Sequence, residues 1–133
     1  MFKEMFKDPM SAKFMNSTRC FQLWRYAVGH GQLLLRSTKT PSKPTRIDVL
    51  FKDVAALHLP ASFDGLSISE ASEVEQADLN LQVGSKGMRE RKTYILSGSN
   101  FQGYVIAGAV ASDEDEGEYD DPSFFAILPV QEQ

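Results

Sequence analysis

The sequence predicts an α+β protein, predominantly antiparallel β-sheet curled as a barrel or sandwich, with one or two short helices. Three observations carry that prediction. In "RIDVLFK" (46–52) Ile47, Val49 and Phe51 alternate with Arg46, Asp48 and Lys52, the period of a strand with one wet face. Aromatic and β-branched residues crowd into "RCFQLWRYAV" (19–28), "TYILSG" (93–98) and "NFQGYVIAGAVA" (100–111). These runs follow one another too closely for repeated helical crossovers, which leaves antiparallel pairing.

Taken in order, residues 1–15 form an N-terminal segment, a short helix or mobile. Phe2, Met5 and Phe6 have helical spacing, and Pro9 ends the turn. Residues 16–133 read as a single β-rich domain. The strand at 19–28 alternates imperfectly: Cys20, Trp24, Tyr26 and Val28 share one parity, Phe21 and Leu23 the other. Cover on both faces along part of its length accounts for that pattern. "GQLLLRS" (31–37) follows as a second strand, and Gly29-His30-Gly31 is the bend between the two.

"VAALHLP" (54–60) is a strand closed by Pro60. A further strand opens around Leu66–Ile68, after which Ser69 or Ser72 caps a helical turn, with Glu73 and Glu75 near its start. Asp78 to Val83 alternates again and reads as strand, with Leu79, Leu81 and Val83 inward. Ser97–Asn100 supplies hairpin chemistry, and Gly103 and Gly108 mark bulges or close backbone approach. "SFFAILPV" (123–130) is the last strand candidate.

A chain of 133 residues, 42% hydrophobic and 24% charged, is long enough to bury one real core. The lone Cys20 excludes an internal disulfide and any multi-cysteine zinc site, and a single thiol suits a reducing compartment. The lysine-bearing start lacks the apolar run of a secretory signal, and no stretch approaches the ~20 apolar residues of a membrane helix. The expectation is a cytoplasmic protein. Net charge is −4, but Lys and Arg outnumber Asp and Glu ten to three through Lys52, and are outnumbered fifteen to four from Asp53 onward. Folding that interleaves the halves cancels such a field.

Candidate chemistry is sparse. His30 and His58 are the two histidines, each able to act as acid or base near neutral pH. Neither has a phosphate-loop or metal-ligand spacing around it. His58 reads as a half-buried, hydrogen-bonded strand residue, and Cys20, among bulky apolar neighbours, as a buried thiol. No catalytic residue, metal or cofactor is therefore assigned. Trp24 and Tyr26 read as core.

The most unusual feature is "SDEDEGEYDD" (112–121), which places Asp113, Glu114, Asp115, Glu116, Glu118, Asp120 and Asp121 together. Its spacing fails the calcium-loop pattern, so it reads as a solvated loop between the last two strands. Opposing it are two basic loops. One, 36–46, carries Arg36, Lys39, Lys43 and Arg46; the other, 84–92, carries Lys86, Arg89, Arg91 and Lys92.

The preferred functional reading is a non-enzymatic module that binds another protein through 113–121; an immunity (toxin-neutralising) or adaptor role fits that description. Two alternatives stay open. One is a small enzyme or ligand-binding domain using His30 or His58. The other is anion or nucleic-acid binding by the basic loops, with the acidic run as internal competitor. An isoelectric point near 5.1 weighs against a dedicated nucleic-acid binder.

Overall fold

The computed structural model describes residues 13–83, 91–119, 121–123 and 125. In chain order the elements are β1 (Lys13–Ala27), β2 (Gln32–Ser37), β3 (Arg46–Lys52), β4 (Ala56–His58), β5 (Ser62–Glu70), α1 (Glu73–Val83), β6 (Lys92–Ser97), β7 (Gln102–Ala107) and β8 (Ala109–Asp115). Every strand pairing is antiparallel, in the order β4-β7-β6-β5-β1-β2-β3-β8. The predicted class is therefore the observed one.

The long strand β1 makes the sheet curl. Residues from Lys13 to Gln22 pair with β5, and residues from Gln22 to Ala27 pair with β2. Its three register shifts, at 13–15, 17–20 and 23–25, mark irregularities that bend the strand and re-aim side chains. The last of them separates inward Phe21 and Leu23 from outward Trp24, which explains the imperfect alternation.

Across the curl, Leu33, Leu35, Val49 and Phe51 from β2 and β3 pack against Leu66, Ile68, Leu96 and Val105 from β5, β6 and β7. Phe51 meets Tyr94 edge-on at 5.7 Å. Each such fully buried side chain is worth roughly 1.5–3 kcal/mol of transfer free energy. The sheet stops short of a closed barrel. β3 and β4 together run antiparallel to β7 and β8, but the ladder breaks at Asp53 (φ 58°) and Gly108. There the Gly108 amide donates to the carbonyls of Lys52 and Asp53, at 2.9 and 3.2 Å.

The glycine-framed histidine lies in a bend. Val28–His30 forms one 3-10 turn, and Gly31 closes it at φ 58°, a left-handed conformation that costs glycine little. Gly103 makes the close approach read from the sequence: a Cβ there would collide with the His58 carbonyl of β4. The 54–60 strand is shorter than expected, reduced to β4, and β1 begins at Lys13, inside the segment read as N-terminal. Residues 1–12, and all of 123–130 except Ser123 and Phe125, lie outside the described residues.

One element differs in kind. Residues 78–83, read as strand, belong to helix α1. A reciprocal cap decides it: the Glu75 amide donates to Ser72 Oγ (3.2 Å), and the Ser72 amide donates to the Glu75 carboxylate (2.8 Å). Glu73 and Glu75 in the first turn also favour the helix dipole. Six alternating residues are too few to outweigh a nucleated helix. No described helix is long and apolar enough to cross a membrane.

Replacing the cap, Ser72→Ala, should cost the helix about 1 kcal/mol, read as loss of ellipticity at 222 nm with the β signal unchanged. Unaltered helical signal would mean that the cap does not set the start of α1.

Candidate functional site

Strands β2 and β3 are buried on both faces, and the outer face is where the charged residues gather. Inward Leu33, Leu35, Val49 and Phe51 alternate with outward Leu34, Arg36, Leu50, Asp48 and Arg46. The polar face of β3 was expected to be wet. Instead Arg36, Arg46 and Asp48 are each no more than 2% exposed. The chain that follows β8 covers them.

Register places the charges. Arg36 on β2 faces Asp48 on β3, Asp48 faces Asp113 on β8, and Arg46 faces Asp115. The Arg36 guanidinium grips Asp48 with two hydrogen bonds of 2.7 and 3.1 Å, donates to the Tyr119 carbonyl at 3.0 Å, and stacks 4.9 Å from the Trp24 ring. Trp24 in turn meets Tyr119 edge-on at 5.0 Å. Arg46 holds Asp115 through paired hydrogen bonds of 3.1 and 3.0 Å and donates to the carbonyls of Glu118, Asp121 and Pro122. Gly117 permits this, because a Cβ there would sit 2.5 Å from an Arg46 nitrogen. Lys39 adds an ion pair to Glu118 at 2.9 Å and a hydrogen bond to the Glu116 carbonyl.

The acidic run is therefore not all loop. Asp113, Glu114 and Asp115 end β8, and the turn after them folds back over β2 and β3. Likewise Arg36 and Arg46 are not on an exposed basic loop: they are buried strand residues, Arg36 paired with Asp48 of β3 and Arg46 with Asp115 of the acidic run. Of the second basic group, Arg91 pairs with Asp53 at 2.8 Å and Lys92 with Glu70 at 3.1 Å, while Lys86 and Arg89 lie outside the described residues, as does Asp120. The ion pairs Arg19–Glu114, Lys39–Glu118 and Arg46–Asp115 join the basic first half of the chain to the acidic second half.

The two aspartates that face β3 from the end of β8 are pushed in opposite directions. Hydrogen bonds from Arg46 pull the Asp115 pKa below its usual 3.8, aided by the Gly117 amide against the effect of burial. Burial raises that of Asp113, and the negative charges of Asp115 and Asp48 add to it.

The remaining candidates are dispersed. Cys20 is exposed, not buried as expected, because the bulge in β1 turns it outward; its thiol donates to Asp64 at 2.8 Å, beside a groove of about 550 Å³ lined by Phe63, Phe101 and Asn100. That hydrogen bond, with burial and the Asp64 charge, raises the thiol pKa and keeps it protonated. His58 is exposed on β4 with its ring 5.8 Å from Tyr104, not half-buried and hydrogen-bonded, since the short strand β4 pairs on one side only. His30 is exposed on its turn. Neither Trp24 nor Tyr26 is in the main core as expected: Trp24 is half-buried against the outer cluster of Ala27, Leu34 and Leu50, and Tyr26 is 41% exposed, because the shift at 23–25 turns this end of β1 outward. Among the described residues no cluster of His, Cys, Asp and Glu fits a metal ion.

Sequence reasoning missed Arg19, Asp48, Trp24, Gly117 and Tyr119. The available signal was strand parity: in a 31–37/46–52 hairpin, Arg36 and Asp48 fall on the same outward side. Comparison with protein-family models, with curated proteins and with solved structures finds no match to this chain.

Opposite pH behaviour should follow from the two β8 aspartates. Asp115, with a lowered folded pKa, stabilises above about 3.8 and loses that contribution as pH falls through its folded value. Asp115→Asn should cost about 2–3 kcal/mol at pH 7, with the gap to wild type closing below pH 4. Asp113, with a raised folded pKa, destabilises once ionised, so Asp113→Asn should be the more stable protein at pH 7 and equal to wild type at low pH. Urea midpoints across pH measure both, and an Asp113→Asn that destabilises at pH 7 would contradict the assignment.

Proposed function

We propose that this chain is a non-enzymatic binding domain that recognises a basic partner protein along β8 and the acidic turn after it. The observation that carries the reading is the position of β8. It ends the sheet order and is paired with β3 alone among the described strands, so alternate backbone N–H and C=O groups face outward along residues 109–115. An open edge of this kind accepts an added strand. The exposed carboxylates of Glu114 and Glu116 discourage a second copy of the chain and favour cationic side chains.

The arginine clamp supports the same reading. Guanidinium bonds to four backbone carbonyls fix the turn that displays Glu116, Glu118 and Asp121. A surface held in its binding conformation loses little entropy on association. The exposed ring of Tyr119, 59% accessible and anchored edge-on by Trp24, supplies an aromatic contact at the centre of the ridge.

The test pairs two baits, wild type and Glu114→Lys/Glu116→Lys/Glu118→Lys, in pull-downs from the native host read by mass spectrometry. The expected result is a basic protein recovered by wild type, depleted more than about tenfold with the reversed bait and released by salt. Identical recoveries with both baits would remove the proposal.

A further inference from the structure

We propose a second site, adjoining the β8 ridge at Glu114: an oxyanion pocket around Arg19 and Lys43 that binds a phosphoryl group. Two adjoining concavities of about 550 and 300 Å³ share Thr18, Arg19 and Lys43 in their walls. Both fall at or near the size range of small-ligand sites, roughly 300–1,000 Å³. The bulge of β1 between Ser17 and Cys20 creates the opening. Thr18 and Arg19 lie within its register shift, before the strand begins to pair with β2 at Gln22. Their side chains therefore project into the gap bounded by the 38–45 connection.

The donors are fixed in place. Arg19 Nε donates to Ser37 Oγ at 3.2 Å and Nη1 to Thr45 Oγ1 at 3.0 Å, while Nη2 reaches the Thr45 carbonyl. Its side chain is 11% exposed. Lys43 closes a tight Thr40–Lys43 turn, held by reciprocal backbone bonds of 2.8 and 3.1 Å. Its ammonium has no ion-pair partner among the described residues. Hydroxyls of Thr18, Ser37, Thr38 and Thr40 line the smaller concavity. A rigid guanidinium, an uncommitted ammonium and several hydroxyl donors form the set that phosphoryl oxygens select.

One carboxylate already uses part of this set. Glu114 accepts a hydrogen bond from the Thr45 hydroxyl and lies 3.8 Å from Arg19 Nη1, with its side chain 56% exposed. It occupies the place of an external oxyanion and is free to swing into solvent when one arrives. Removing its charge should therefore strengthen anion binding, an effect that a merely structural Glu114 would not produce.

The experiment is calorimetric titration of the full chain at low ionic strength with inorganic phosphate, with AMP, and with adenosine as the uncharged control. Wild type should bind both phosphate and AMP. Lys43→Met should weaken that binding about tenfold, and Glu114→Gln should tighten it by about the same factor. Equal affinities for phosphate and AMP would identify the free anion as sufficient, and tighter AMP binding would point to a phosphate ester. Adenosine binding as well as AMP, an unchanged Lys43→Met, or no heat with phosphate for wild type and Glu114→Gln would each overturn the site. Lys43 is exposed, so its substitution leaves the fold intact and the comparison interpretable.

Discussion

The burial of Arg36 and Arg46 on the outer face of a curled sheet is the constraint around which this molecule is arranged. A guanidinium removed from water is costly unless a counter-charge and enough acceptors accompany it. Asp48 and Asp115 provide the counter-charges across neighbouring strands, and four carbonyls of the turn after β8 take further donors. The acceptors belong to chain that is otherwise irregular. Its backbone path is thus set by the arginines, and the arginines stay buried only while that path is kept. Each condition enforces the other.

This coupling gives the sheet two dissimilar sides. The inner face is apolar and held by contact area, so volume-conserving exchanges there perturb little. The outer face is held by directional bonds over a small apolar cluster of Ala27, Leu34 and Leu50, with Trp24 and Phe125 packed against it. Directional bonds fix one arrangement of the acidic turn. That a segment so rich in like charge is ordered at all depends on the cations beneath it, and its net excess of carboxylates is what still faces outward.

Much of this was legible. The strands at 46–52 and 93–98, the bend at His30, and the hairpin at Ser97–Asn100 all follow from local alternation and glycine placement, and they recur in the fold. What local pattern could not reveal is which polar face another segment would cover. Arg46, Asp48 and Lys52 are equivalent by parity, yet only Lys52 is exposed, because the turn after β8 covers the first two and not the third. The same limit explains the acidic run. Seven carboxylates read as solvated when their pairing cations lie sixty or more residues away in sequence. For α1 the capped start at Ser72 is legible and the length is not, because the alternation from Asp78 to Val83 has the period of a strand inside a helix that runs to Val83.

The site residues divide along the same line. Cys20 looked buried because Phe21 and Leu23 flank it, but a bulge in β1 turns it outward to Asp64. An acidic partner suppresses the thiolate, so the exposed thiol is a poor nucleophile where a histidine neighbour would have made it a good one. The bulge has a second consequence at the preceding residue, since it sends Arg19 toward Thr45 and Glu114. Glu114 thereby stands between the two proposed surfaces, bonded inward at the Arg19 rim and exposed outward on the β8 edge. An oxyanion that displaced it would leave its charge free for a cationic partner, so the small-anion pocket and the acidic ridge are linked through one side chain with two alternative positions. Linkage is reciprocal, and a basic partner that drew Glu114 outward would raise the pocket's affinity for phosphate by the same factor.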